Sequence, residues 1–212
     1  MSMIMLLLLF NLMLTASYEF EYFQMVQQWA PTFCSGIGVT CKVQPPQNKF
    51  TIHGLWPSNF SNAKLICSGG DLQQNKLPHR LSTKLKKHWP NLKCGNDFDF
   101  WRYEWRKHGR CSNPPLNPNQ YLHTTIRMYL NYDLLGMLNA AGLSPSTTFR
   151  QYTYMENVLK NAIGAVPSLR CNVNSQSNED QLYEIVICFE ENSTNLIDCT
   201  YAPGNCPDWF VW

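Results

Sequence analysis

From Met3 to Leu14 every position is apolar except Asn11, and the run then passes into Thr15-Ala16-Ser17. So short a stretch falls below the ~20 residues of a bilayer span. It fits the core of a secretory signal peptide with small residues near the cut. No Lys or Arg precedes it, and a buried N-terminal strand or helix is the alternative reading. Cleavage is expected between Ala16 and Tyr22, which divides the chain into a signal segment at 1–17 and one domain at 18–212. No later stretch is long and apolar enough for a membrane span.

Beyond the leader the pattern changes from residue to residue. Tyr22–Trp29 reads as a strand, with Phe23, Met25 and Trp29 apolar and Gln24, Gln27 and Gln28 interspersed, ended by Pro31. Phe50–Pro57 is a second β-prone run. Asn59–Pro78, rich in Asn, Gly and Ser, reads as a long surface loop. Leu81–Trp89 is helical and stopped by Pro90. Asn96–His108 is an aromatic helix with Asp97 and Asp99 in its first turn and Gly109 at its end. Asn119–Leu138 holds one or two helices, and Thr153–Ile163 another, closed by Gly164. Leu169–Val173 and Leu182–Phe189 are strand-like, and Asn195–Cys199 is a candidate partner for the second. There is no repeat and no linker. Strands and helices mix without strict alternation, which predicts an α+β domain around a central antiparallel sheet packed by several helices.

Composition narrows the class. Of 212 residues 44% are hydrophobic and 15% charged, which excludes a disordered chain. Seventeen basic against 15 acidic residues give +2, too balanced for a polycationic nucleic-acid coat, although a local basic cleft is compatible with it. Nine cysteines, at 34, 41, 67, 94, 111, 171, 188, 199 and 206, are expected to be mostly paired in a secreted chain, with one left over. None forms Cys-x-x-Cys, which argues against a zinc ribbon. The sequons at Asn59 and Asn192 agree with a secreted glycoprotein, whereas Asn113 precedes a proline.

Two segments carry candidate chemistry. On a helix, Glu104 and His108 lie one turn apart, with Lys107 flanking them. A base, a carboxylate and a cation then converge, which suits proton transfer while negative charge grows on phosphorus. An ordinary solvated helix face is the bland alternative. His53 sits in the apolar run at 50–57, where a histidine is more often structural than catalytic. Gly54 beside it would permit a close approach, and Trp56 is core or a stacking surface. Together, two histidines with Glu104 and Lys107 supply what cleavage of RNA by its own 2′-OH requires. Histidine suits both proton steps because its ordinary pKa near 6.5 lets both forms coexist. Such a reaction leaves DNA intact and requires no metal and no cofactor.

Phe50-Thr-Ile-His-Gly-Leu-Trp-Pro57 and Glu104-Trp-Arg-Lys-His-Gly-Arg-Cys111 resemble the two active-site segments of the ribonuclease T2 family. The resemblance extends over Tyr22–Trp29 and the cysteines to Cys206. Within the family it is most similar to the plant S-RNases of gametophytic self-incompatibility, of rose-family type. It implies that His108 is the general base, His53 the general acid, and Glu104 and Lys107 supports of the pentacovalent intermediate. It implies substrate contact for Trp56. It also implies the disulfides Cys34–Cys41, Cys67–Cys111, Cys171–Cys206 and Cys188–Cys199, with Cys94 free. Many members carry a third histidine where this chain has Tyr103, which is expected to weaken substrate binding. Arg110 replaces a frequent threonine and either binds phosphate or is a surface charge.

The functional expectation is a secreted, extracellular, monomeric endoribonuclease with an RNA substrate and no membrane or DNA partner. If it is an S-RNase, a pollen F-box protein is the expected partner, and the 59–78 loop the surface it reads. A housekeeping or stress ribonuclease and a catalytically weak binding or storage glycoprotein are the alternatives. A lectin or inhibitor would explain the cysteines but leaves both histidine segments unexplained.

Overall fold

The computed structural model describes residues 20–93, 95–112 and 116–212. The signal segment at 1–17, Cys94 and Asn113 lie outside the described residues.

In chain order the elements are β1 (Tyr22–Gln28), α1 (Ala30–Cys34), β2 (Thr51–Ser58), α2 (His79–His88), α3 (Asp97–Lys107), α4 (Pro118–Leu130) and α5 (Leu134–Ala140). They continue with β3 (Phe149–Gln151), α6 (Tyr152–Ile163), β4 (Ser168–Val173), β5 (Asp180–Glu190), β6 (Leu196–Ile197) and β7 (Trp209–Val211). The seven strands form one sheet in the order β2-β1-β5-β7-β3, with β4 and β6 on the other edge of β5. Every pairing is antiparallel except the single parallel contact of Gln181 with Val211. This is the expected α+β domain with a central sheet.

All seven residues of β1 are buried, because β1 lies between β2 and β5 and is covered on both faces. Phe23 and Met25 join the main core with Ile52, Leu55, Trp89, Trp101, Trp105 and Tyr121. Tyr22 and Val26 join a smaller cluster with Val186 and the Cys188–Cys199 bridge. Gln24 and Gln27 are tolerated inside because their amides are spent on Ser58 and on the Tyr132 carbonyl. Pro31 does not simply end the strand. It stands in the first turn of α1, where its missing N–H costs nothing. The short strands β3 and β7 pair only with each other and at the end of β5.

α3 begins where Asn96 accepts the Asp99 N–H, with two aspartates in its first turn and Arg106 and Lys107 in its last, charges that complement the helix dipole. Disulfides join Cys34–Cys41, Cys67–Cys111, Cys171–Cys206 and Cys188–Cys199. The Cys67–Cys111 bridge ties the 59–78 loop to the turn after α3. Trp105 Nε1 also donates to Gly70 O at 2.9 Å, and Asp71 pairs with Arg106. The loop is thus clasped to the helix at three points, while Ile66 stays 86% exposed.

Asn59 departs from expectation. It is 3% exposed, and its amide closes a turn by accepting from Ala63 N and Ser61 Oγ and donating to Ala63 O. A glycan on that nitrogen would have to displace its bond to Ala63 O and draw the buried side chain out, which argues against glycosylation at Asn59. Asn192, in the exposed turn after β5, remains suitable. Of the histidines without a chemical pattern, His79 and His123 are exposed, whereas His88 is half-buried against the Tyr129 ring.

Candidate active site

β1 pairs Val26 with Gly54 and Gln27 with Ile52, so His53 is the extra residue of a bulge in β2. Bulges re-aim a side chain out of the ladder. Here the backbone is pinned as well. Trp89 Nε1 donates to His53 O at 2.8 Å, and Trp101 Nε1 donates to Trp89 O at 2.8 Å, so two indoles from the helical layer fix the strand.

His108 follows the last residue of α3 and keeps the helical bond of its N–H to Glu104 O at 2.9 Å, but its own backbone has left the helix. Trp56 stands between the two histidines. Its indole stacks on His108 with centroids 4.8 Å apart and meets the His53 ring edge-on at 5.1 Å. Trp56 Nε1 donates to Glu104 Oε2 at 3.0 Å. Imidazoles 55 positions apart in the sequence therefore share one indole wall. Gly54 is required because the Glu104 carboxylate and the Trp56 indole occupy the space a Cβ would need. A ligand or another backbone was expected to approach at Gly54, and these two side chains occupy that space instead.

The electrostatics of the histidines differ in sign. Burial opposes the charged form of His53, but the hydrogen bond and charge of the Glu184 carboxylate, helped by Glu104, outweigh it and hold His53 above the usual histidine range. Burial drives His108 down to about 3, with Lys107 and His53 pushing the same way. Nε2 of His108 is buried without a hydrogen-bond partner among the described residues, so that nitrogen is not spent on another group of the protein. Glu104 is buried, and desolvation raises its pKa despite His53, Trp56 and Lys107. The two environments thus push the imidazoles in opposite directions, one toward the charged and the other toward the neutral form, the pattern that separates an acid from a base.

The structure brings His53, Trp56, Glu104, Lys107 and His108 together. It gives Tyr103 and Arg110 other company. Tyr103 is 53% exposed and lies under Lys107 Nζ at 5.4 Å from its ring. Arg110 approaches Asp71 at 3.6 Å, on the loop clasp.

Sequence reasoning missed Glu184 and Arg170. Glu184 is buried on β5, with one carboxylate oxygen on His53 Nδ1 and the other 3.6 Å from Arg170. A carboxylate within the apolar run Leu182–Phe189 was the available signal, since such a residue is almost never buried unless paired.

A model of the Ribonuclease T2 family matches residues 20–199. Ribonuclease MC of Momordica charantia is 34% identical over 182 residues, spanning 85% of this chain and 95% of that one. A solved variant of RNase MC1 bound to 5′-GMP superposes with a TM-score of 0.82 at 33% identity, covering 92% of this chain and all of the other. Japanese pear S3-RNase superposes with a TM-score of 0.78 at 30% identity, covering 91% of this chain and 99% of the other.

Proposed function

The chain belongs to the ribonuclease T2 family and is a T2-type endoribonuclease, and we propose that His53 and His108 carry out its cleavage of RNA. Neutral His108 takes the proton of the ribose 2′-OH, and that oxygen attacks phosphorus. Charged His53 gives its proton to the departing 5′-oxygen as the P–O5′ bond breaks. Lys107 and Glu104 steady the pentacovalent intermediate, and Trp56 walls the cleft on which the ribose-phosphate lies. The product is a 2′,3′-cyclic phosphate, then more slowly a 3′-phosphate. A phosphodiester in the cleft adds negative charge beside His108 and raises its basicity when the substrate arrives.

The observation that carries this reading is the shared Trp56 wall with oppositely tuned imidazoles on it. It is tested by purified His53→Ala and His108→Ala, assayed on a dinucleotide with the products separated. Each is expected to lose about 10²–10⁴-fold in kcat, the usual contribution of one proton-transfer group. Undiminished rates, or products without a cyclic phosphate, would overturn it.

For the biological role we propose a secreted S-RNase, the style-side determinant of self-incompatibility. The apolar leader at 3–14, the sequon at Asn192 and a sequence pI near 8.0 support secretion of a basic glycoprotein. The loop at 59–78, held at Cys67, Gly70 and Asp71 and exposed at Ile66, would be the face a pollen F-box protein reads. Likeness to the seed ribonuclease of bitter gourd favours a second reading, a ribonuclease outside self-incompatibility. Transcript confined to styles, with allelic variation at 59–78, is the result expected of the first; expression throughout the plant would select the second.

A further inference from the structure

We propose that Glu184 is the positioning residue of the general acid: its buried carboxylate accepts a hydrogen bond from His53 Nδ1–H, so that Nε2–H is the proton that faces the leaving 5′-oxygen, while Arg170 holds the second carboxylate oxygen. The proposal rests on reading His53 as the acid.

The placement is specific. Glu184 stands on β5, two strands from β2, yet reaches the imidazole because His53 is turned out of the ladder by its bulge. The register puts Arg170 of β4 directly opposite Glu184, next to a second irregularity that skips Tyr183. Arg170 Nη1 lies 3.6 Å from Glu184 Oε2, and Arg170 Nη2 donates to Gln24 Oε1 at 2.8 Å. Gln24 in turn donates to Ser58 Oγ at 2.9 Å on β2. The guanidinium also lies 5.3 Å over the Trp56 ring. Strands β1, β2, β4 and β5 thus each contribute one side chain to a frame behind the two imidazoles.

A stability role explains this poorly. Withdrawing a carboxylate from water to 2% side-chain exposure is costly, and a buried ion pair rarely repays it against an apolar pair of equal volume. A catalytic role explains it directly. The unassisted imidazole chooses between two tautomers and rotates, whereas a carboxylate on one nitrogen fixes both ring and tautomer. In the step itself Nε2–H passes to O5′ while the P–O5′ bond breaks. His53 ends neutral, with its remaining proton on Nδ1 toward Glu184.

The test compares Glu184→Gln, His53→Ala and the unaltered enzyme on two substrates, a dinucleotide and uridine 3′-(4-nitrophenyl phosphate). The second has a leaving group that departs without protonation, so loss of the general acid spares it. For Glu184→Gln we expect kcat on the dinucleotide to fall about 10–100-fold with KM nearly unchanged, and the aryl ester to fall much less. The alkaline limb of the dinucleotide profile should move to lower pH, because the charged imidazole has lost its carboxylate. Equal losses on both substrates, or an unmoved alkaline limb, would overturn the role of Glu184. If His53→Ala itself loses both substrates equally, the acid assignment fails instead, and the two failures are distinguishable. Should Glu184→Gln not fold, nitrogen-15 NMR of the unaltered protein decides. Above its titration His53 is expected to carry its proton on Nδ1, and an Nε2–H tautomer overturns the proposal.

Discussion

Trp56 Nε1 donates to Glu104 Oε2 at 3.0 Å, and this bond joins the strand that carries one histidine to the helix that presents the other. Glu104 is buried, so the indole proton is one of few groups that compensate its charge. Trp56→Phe keeps a ring against His108 and removes the donor. Leaving a buried acceptor unsatisfied typically costs about 1–3 kcal/mol. The expected outcome is that much loss of stability in urea titration, with a lower kcat. Trp56→Ala should do worse on both, since it also removes the wall between the imidazoles.

Gly54 makes a sharper prediction. A methyl there would strike the Glu104 carboxylate and the Trp56 indole at once. Neither can retreat, because each is the hydrogen-bond partner of the other. Gly54→Ala is expected to reduce activity by at least tenfold while the far-UV circular dichroism stays native. Wild-type turnover in that variant would show that the carboxylate and indole are not held as described.

The chemistry of this site was legible in two short segments because the reaction needs histidines, and histidines beside Gly-Leu-Trp-Pro and after Glu-Trp-Arg-Lys stand out from any structural background. Helices α2, α3 and α6 were legible from apolar spacing and from Pro90, Asn96 and Gly164 at their ends. Glu184 was not, because its contact spans 131 positions and depends on a bulge that no local pattern announces. Strands β3 and β7 were not, because three residues carry no periodicity and their pairing joins Phe149 to Val211, far apart in the sequence. The burial of Asn59 was not legible for a similar reason, since a sequon states only a local pattern and the next residue, Phe60, is stacked on Tyr22 of β1 at 5.1 Å.

That difference can be measured. Expressed through a eukaryotic secretory route, the protein should carry glycan at Asn192 and not at Asn59, as read by peptide mass mapping with and without glycosidase. Asn59→Gln should destabilise, because the longer amide cannot close the turn with Ala63, whereas Asn192→Gln should remove the glycan with little effect on the fold.

The pH dependence of stability follows from three histidines that do not act alike. His108 is held near 3 and His88 near 4 in the folded chain, each below its ordinary 6.5, both by burial first and then by neighbouring cations. From pH 6.5 down toward 4 the unfolded chain therefore binds protons that the folded chain refuses, and stability falls as pH falls. His53 has the opposite sign. Its folded pKa is raised, so its contribution is fully present below 6.5 and is lost as pH rises through the folded value. Stability measured by urea midpoint should thus decline on the acid side of 6.5, and decline on the alkaline side as His53 loses its proton. His108→Gln should flatten the acid slope, recovering up to a few kcal/mol at pH 4, since His108 is mostly withdrawn from water. His88→Gln should recover less, because His88 is only half-buried and solvent screens its lysines. An acid slope unchanged in His108→Gln would mean that this imidazole takes up its proton in the folded chain as readily as in the unfolded one, so that the fold does not hold it neutral below pH 6.5.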